Sequence, residues 1–210
     1  MNNKLIITAP DYWESAKIFL SQKDKTLAKI ITQYTGETLV SRGSAFFSLA
    51  RAIVGQQISV KAADSVWKKL ETGIGKVLPP NVIKASDETL RACGLSRQKV
   101  LYLKELSLFF TNNPDNDWHK KNDAEVVTIL VSIKGIGKWS AEMFLIFHLL
   151  RPDVFPVADL GLQKAIEKHY NKGKKMPPDK MKKLSEKWKP YRTVATWYLW
   201  RSLDPVAVEY

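Results

Sequence analysis

The sequence predicts an all-α fold built as two packed helical lobes. Three observations carry that expectation. Apolar residues recur at three- and four-residue spacing along most of the chain, and capping residues or prolines stand where those stretches begin. Strict alternation is confined to scraps such as Leu5-Ile6-Ile7. In chain order, Pro10 and Asp11 open an amphipathic stretch, and Asp24 to Tyr34 forms another that Gly36 closes. Ser44 is placed to cap FFSLARAIVGQ, and Ser59 to cap VKAADSVWKKLE, where Val60, Ala63, Val66, Trp67 and Leu70 trace one face. Ser86 and Ser96 stand likewise before DETLRAC and RQKVLYLKELSLFF, with Gly94 between them, and Asp123 precedes AEVVTILVSI. After Gly135 and Gly137, KWSAEMFLIFHLL is apolar on most sides, the mark of a buried central helix. Pro177-Pro178 opens DKMKKLSEKW, and Pro190 opens YRTVATWYLWRSL in the first turn, where proline is tolerated.

Three polar, Gly/Pro-bearing breaks interrupt this pattern: 36–44, 112–123 and 171–180. The first two imply a central lobe at about 44–112 and a second lobe made of 1–43 and 113–210. No linker is long enough to separate them, so the expectation is a single domain of 1–210 whose lobes pack around a cleft.

Composition narrows the function classes. The 33 basic and 21 acidic residues of the 210-residue chain leave a net charge of +12, which favours a polyanionic partner. The longest apolar run, Met143 to Leu150, falls far short of the ~18 residues of a membrane span. The N-terminus MNNKLIITAPDYWES has no secretory-signal pattern, which points to an intracellular protein, cytoplasmic in a bacterium or nuclear in a eukaryote. One cysteine, Cys93, excludes a disulfide framework and a Cys-ligated iron–sulfur cluster. Three scattered histidines, His119, His148 and His169, argue against zinc, so no metal ligands are expected.

The most informative segment is IKGIGKWSA, Ile133 to Ala141, between two helices. A helix that begins directly after Gly137 lets the amides of Gly135, Gly137 and Lys138 face outward at the positive end of its dipole. Such a set binds phosphate, and the Lys138 side chain adds a charge. A plain helix–helix turn reads the same way locally. Asp159, in VFPVADLGLQKAIEKHY, is an N-cap by position, or a carboxylate held at a cleft mouth; the two roles are compatible.

The layout GQQIS (55–59), IKGIGKWSAEMF (133–144) and DVFPVADLGLQ (153–163), ending in WKPYRTVATWYLWR (188–201), resembles the helix–hairpin–helix superfamily of DNA glycosylases. Its nearest likeness is to the alkylation-repair branch, the DNA-3-methyladenine glycosylase II type, from about Ser44 to Leu203. The resemblance implies that Asp159 is the catalytic carboxylate and that Gly135, Ile136, Gly137 and Lys138 hold the DNA backbone. It places Trp139, Trp200 and Met143 at the base pocket, and Gln57, with Ile58 and Gln56, where a wedge enters the base stack. It further implies a monomer acting on double-stranded DNA that carries alkylated bases. No cofactor is required, although a structural Na or K ion can sit at the hairpin. Larger members carry an N-terminal β-domain, for which this chain has no room. By residue type alone, Gln56-Gln57 also fits a solvated turn, and Tyr191, Trp197 and Tyr198 fit simple packing. The lysines of 171–183 fit either a solvated face or a phosphate contact.

The chemistry suits a single carboxylate. An N3- or N7-methylated purine leaves as a neutral base, so the main demand is stabilisation of an oxocarbenium-like sugar. An electron-rich pocket favours the cationic base by about 0.5–2 kcal/mol. Two alternatives compete. A bifunctional glycosylase/lyase needs an amine two residues after Gly137, where this chain has Trp139, Lys138 being one residue off. A noncatalytic helix–hairpin–helix module explains the charge and the hairpin but has no use for Asp159. Membrane attachment would need a continuous apolar helix face, and DKMKKLSEKWK is too short and mixed.

Overall fold

Every serine expected to start a helix does so by accepting a backbone N–H three residues on. Ser44 takes Phe47 N (3.2 Å), Ser59 takes Ala62 N (3.3 Å), Ser86 takes Thr89 N (3.1 Å) and Ser96 takes Lys99 N (3.2 Å). Each such cap is worth about 0.5–2 kcal/mol, so the four fix helix starts at many points along the chain. The computed structural model describes residues 9–41, 43–114 and 116–203; the Leu5-Ile6-Ile7 scrap lies outside them. Among the described residues the regular structure is helical throughout, and no helix is long and apolar enough to cross a membrane.

The described residues divide into two compact units, one holding 9–41 together with 145–203, the other holding those between, up to Phe144. The first unit begins with α1 (Trp13–Lys23) and α2 (Lys25–Gln33). The second holds α3 (Ala45–Gly55), α4 (Val60–Ile74), α5 (Pro79–Lys84), α6 (Asp87–Ala92), α7 (Arg97–Asn112), α8 (Asp123–Ser132) and most of α9 (Lys138–Phe147). The chain then completes the first unit with α10 (Leu160–Tyr170), α11 (Pro178–Ser185) and α12 (Arg192–Arg201).

The boundary expected at 112 falls instead after Phe144, and the reason is an aromatic side chain inside the polar break. Trp118, on a one-turn 3-10 helix, is buried against Phe109, Phe110 and Phe144, with ring centroids 6.4, 6.2 and 5.3 Å away. Full burial of a large apolar side chain contributes about 1.5–3 kcal/mol, enough to bind the 112–123 loop into the core it was expected to leave. Three further departures are local. Asn122, not Asp123, caps α8, in a capping box with Glu125. Proline opens α5, where no helix was expected. Helix α12 begins at Arg192, two residues beyond Pro190.

In the first unit, α12 is buried from Thr193 to Arg201, and Trp197 and Tyr198 pack on Trp13. Trp197 meets Trp13 edge-on at 5.3 Å, and Tyr198 stacks on it at 5.9 Å, so both belong to the core. The first turn of α12 also grips the segment that leads to Asp159. Arg192 forms a two-pronged pair with Asp153 (Nε–Oδ1 2.7 Å, Nη2–Oδ2 2.8 Å). Thr193 Oγ1 donates to Arg151 O at 2.6 Å and accepts from Val154 N at 2.9 Å. Paired forks of this kind fix geometry as well as charge.

Candidate active site

In the first unit, Asp159 is the N-cap of α10 and only 7% exposed. Its Oδ1 accepts the N–H of Leu162 at 2.6 Å and the indole Nε1–H of Trp200 at 2.7 Å. The tight turn before it is closed by Asp159 N donating to Pro156 O (2.8 Å), and Gln163 Nε2 holds Val157 O at 2.8 Å. Leu160, the next residue, is 69% exposed, so this buried carboxylate stands one residue from open solvent. Trp200 is itself buried, and its ring stacks on Phe147 at 5.9 Å and 12°. The cap and the indole thus converge on one oxygen, which sets the plane of the carboxylate.

Gly161 makes that convergence possible. A Cβ there would lie 3.2 Å from Asp159 Oδ1, tighter than ordinary contact, and would touch Trp200 Cδ1 at 3.4 Å. Neither Gly161 nor Phe147 was singled out in the sequence, where the glycine reads as a helix-start residue and the phenylalanine as core.

In the second unit, the hairpin between α8 and α9 is closed by Ile136 N donating to Ile133 O at 3.0 Å. Its two glycines serve different ends. Gly135 has φ +94°, and a Cβ on it would stand 2.2 Å from Cγ of Tyr102, so the fold itself requires glycine there. Gly137 is exposed, with nothing within 4 Å of where a Cβ would be. Its lack of a side chain keeps the start of α9 open to whatever approaches from outside. Ile136 is buried, so only its backbone is available to a partner. Lys138 is exposed, its Nζ 3.9 Å from Glu142 Oε1, one turn on. On α9 one turn separates Trp139, half-buried, from Met143, buried, which puts them on one face.

The wedge candidates occupy the turn after α3. Gln57 and Ile58 are exposed, Ile58 by 40%, whereas Gln56 is half-buried and donates its Nε2–H to Gly135 O at 3.0 Å. Gln56 is therefore tied to the hairpin and does not project with its neighbours. Lys99 and Tyr102 line the same hollow of about 370 Å³ as Gln56, Gln57 and the hairpin glycines. No local pattern singles out either residue, since their partners lie 33 to 45 positions away.

Residues 50–190 match the family described as HhH-GPD superfamily base excision DNA repair protein. The chain belongs to this superfamily. It is 33% identical over 200 residues to DNA-3-methyladenine glycosylase 1 of Schizosaccharomyces pombe, covering 89% of this chain and 86% of that one. Among solved structures it is similar to the Schizosaccharomyces pombe 3-methyladenine DNA glycosylase in complex with abasic DNA, with a TM-score of 0.79 and 28% identity over 90% of this chain and 96% of that one. A DNA-3-methyladenine glycosidase from Bacillus halodurans gives a TM-score of 0.78 at 32% identity, over 94% and 92% of the two chains. The expected all-helical HhH-GPD fold is thus found, and the match fits the alkylation-repair branch.

Proposed function

We propose that this protein is a monofunctional DNA N-glycosylase that extrudes N3- and N7-methylated purines from duplex DNA and hydrolyses their glycosidic bond, leaving an abasic site. The observation that carries this reading is the Asp159 carboxylate, aimed by two N–H donors on Oδ1. A fixed carboxylate stabilises the positive charge that develops on the sugar and helps orient the attacking water. It needs no reorganisation at the moment of reaction, and terms of this kind are worth about 2.7–4 kcal/mol. The leaving base departs neutral, so no general acid is asked of the protein. Lys138 is exposed beside Glu142, and position 139 is tryptophan, so the chemistry uses water and no Schiff-base amine.

The other assignments divide by unit. Gly137 opens the hairpin amides to a phosphate, with Lys138 adding charge. Gln57 and Ile58 project as the wedge. Trp139, half-buried, supplies stacking surface for the cationic base, and Met143, buried one turn on, packs behind it. Trp200, 4% exposed, presents little ring to a base and acts as the partner that orients Asp159. For a hairpin cation, the available donors are backbone carbonyls, and no group of three or more His, Cys, Asp or Glu gathers among the described residues. That hard, neutral donor set fits Na or K. Gly135 O takes the Gln56 amide and, with two lone pairs, retains capacity for an ion, whose role would be added charge behind a bound phosphate.

The test uses purified protein and methylated duplex DNA. Release of free 3-methyladenine with alkali-labile, otherwise unbroken strands, and no covalent adduct after borohydride, is the expected result. Tight duplex binding without base release would leave a DNA-binding module, and strand cleavage with a trapped adduct would leave a lyase.

A further inference from the structure

Gln57 is one of three non-glycine residues with positive φ among the described residues, at +59°. A left-handed side-chain-bearing residue costs about 1–3 kcal/mol and persists only where its surroundings over-determine it. Here two contacts hold the chain that leads into the turn. Upstream, Lys99 Nζ reaches across from α7 and donates to Val54 O at 2.8 Å, near the C-terminus of α3 where carbonyls lack helical partners. Within the turn, Gln56 donates to Gly135 O at 3.0 Å. Among the described residues Lys99 pairs with a carbonyl and no carboxylate, and burial pulls its ammonium below the ordinary lysine value. A lysine kept half-buried under that penalty is there for its contact.

The hairpin is fixed by the same helix. Tyr102 stands one turn from Lys99 on α7, and its ring fills the space where a Gly135 side chain would be, 2.2 to 2.7 Å from a Cβ. Gln98, beside Lys99, donates its Nε2–H to the Tyr102 hydroxyl and steadies the ring. One face of α7 thus touches the end of α3 just ahead of the strained turn through Lys99 and the hairpin through Tyr102, while Gln56 links the turn to the hairpin.

We propose that Lys99, Tyr102 and Gln56 form a brace that sets the Gln57 wedge at a fixed distance from the hairpin, coupling the grip on the DNA backbone to extrusion of the base. The inference rests on the glycosylase reading for its context, and the three are positioning residues that act through Gln57 and Gly135. The coupling matters because a wedge must enter the stack at a set number of nucleotides from the phosphate that is held. A misplacement of about 1 Å at such a point costs about a hundredfold.

The test reads wedge insertion apart from catalysis. The probe is a duplex carrying 2-aminopurine beside a tetrahydrofuran abasic analogue, and its fluorescence rises when the neighbouring stack is opened. Lys99→Met and Tyr102→Leu, made in the full chain, should bind it within about twofold of wild-type affinity, while the fluorescence change per bound protein falls at least threefold. Lys99→Arg should restore the signal. Base release should follow the same split: about tenfold slower for a methylated purine in a normal pair, and within twofold for one facing an abasic gap, where extrusion costs little. An unchanged fluorescence amplitude in both variants overturns the brace, as does a loss of affinity equal to the loss of amplitude. Wild-type protein that opens the stack but releases no base would defeat the glycosylase reading and leave the brace standing.

Discussion

Two aspartates of the first unit are mounted alike, and only one of them is the proposed catalytic group. Asp24 and Asp159 are both N-caps, 4% and 7% exposed, and each receives a tryptophan indole N–H from a distant helix or turn, at 2.8 and 2.7 Å. They differ in which carboxylate oxygen receives the indole. Asp24 divides the work: Oδ1 takes the cap N–H groups of Thr26 and Leu27, and Oδ2 takes Trp188 Nε1, the Tyr170 hydroxyl and the Lys187 ammonium at 2.9 Å. In Asp159 the cap and the indole both fall on Oδ1. The lesson is that cap plus indole is a mounting and not a function. Asp24 spends its charge on a phenol and an ammonium inside the fold and staples α2 to the Trp188 turn. Asp159 carries the cap and the indole on the same Oδ1, beside a residue that is open to solvent.

The sharpest way to break this comparison is to neutralise each carboxylate in turn. Asp159→Asn keeps an oxygen for the cap and the indole, so folding should change by less than about 1 kcal/mol. Base release should fall by a hundredfold or more, since each 1.4 kcal/mol of lost stabilisation is about tenfold in rate. Single-turnover release of 3-methyladenine together with thermal unfolding checks both halves, and a near wild-type rate would end the catalytic assignment.

Asp24→Asn should do the reverse. Its amide must either turn an N–H toward three donors or abandon the cap, and leaving a buried donor unsatisfied costs about 1–3 kcal/mol. The protein that remains folded should release base at the wild-type rate. Acidity exposes the same contrast. Burial pushes the Asp24 carboxyl up, but the donors from Trp188, Lys187, Tyr170 and Leu27 together hold it below the usual carboxylate range. A folded pKa below the unfolded one contributes stability that is present above the unfolded value of about 3.9 and is lost as pH falls through it toward the folded value. Denaturant midpoints between pH 5 and pH 3 should therefore fall less steeply in Asp24→Asn than in wild type.

Both aspartates are legible in the sequence as helix starts, and the four serine caps show how much of the fold such local chemistry fixes. The hairpin is legible for the same reason, since its turn and the helix after it are neighbours in sequence. What was not legible acts across the chain. The indole that orients Asp159 comes from 41 positions away, the Gln56 contact with Gly135 from 79, and the Trp118 packing that moved the lobe boundary lies inside a stretch polar enough to pass for a linker. An N-cap announces itself within four residues, whereas the second ligand of a carboxylate has no fixed sequence distance.

A milder probe separates the two indoles. Trp200→Phe and Trp188→Phe each keep an aromatic ring and delete the N–H to a carboxylate, a bond worth about 1.5–3 kcal/mol when the acceptor is charged. In Trp188→Phe the loss should appear as stability, with a lower melting temperature and an unaltered rate per folded molecule. In Trp200→Phe it should appear chiefly as rate, about tenfold, because a carboxylate that has lost the indole is held less firmly about its χ2 axis. Equal stability losses with no rate effect would mean that Trp200 only packs.

The smallest change tests why the two mountings differ. The residue two beyond Asp24 is Thr26, and the residue two beyond Asp159 is Gly161. A side chain is tolerated at the first because the Trp188 indole arrives on Oδ2, while Oδ1 meets only backbone. At the second, the indole arrives on the same oxygen that the helix start caps, and a Cβ would crowd Oδ1 at 3.2 Å while touching the Trp200 ring at 3.4 Å. Gly161→Ala therefore sets two effects against each other. Alanine is favoured over glycine in a helix by up to about 1 kcal/mol, so stability should stay level or rise slightly. The carboxylate and the indole must separate by a few tenths of an ångström, which should slow base release by about three- to tenfold. Thr26→Ala, the matching change beside Asp24, should leave the rate untouched. A Gly161→Ala protein that is as fast as wild type would show that the shared oxygen is not what aims Asp159, and would remove the difference on which the comparison rests.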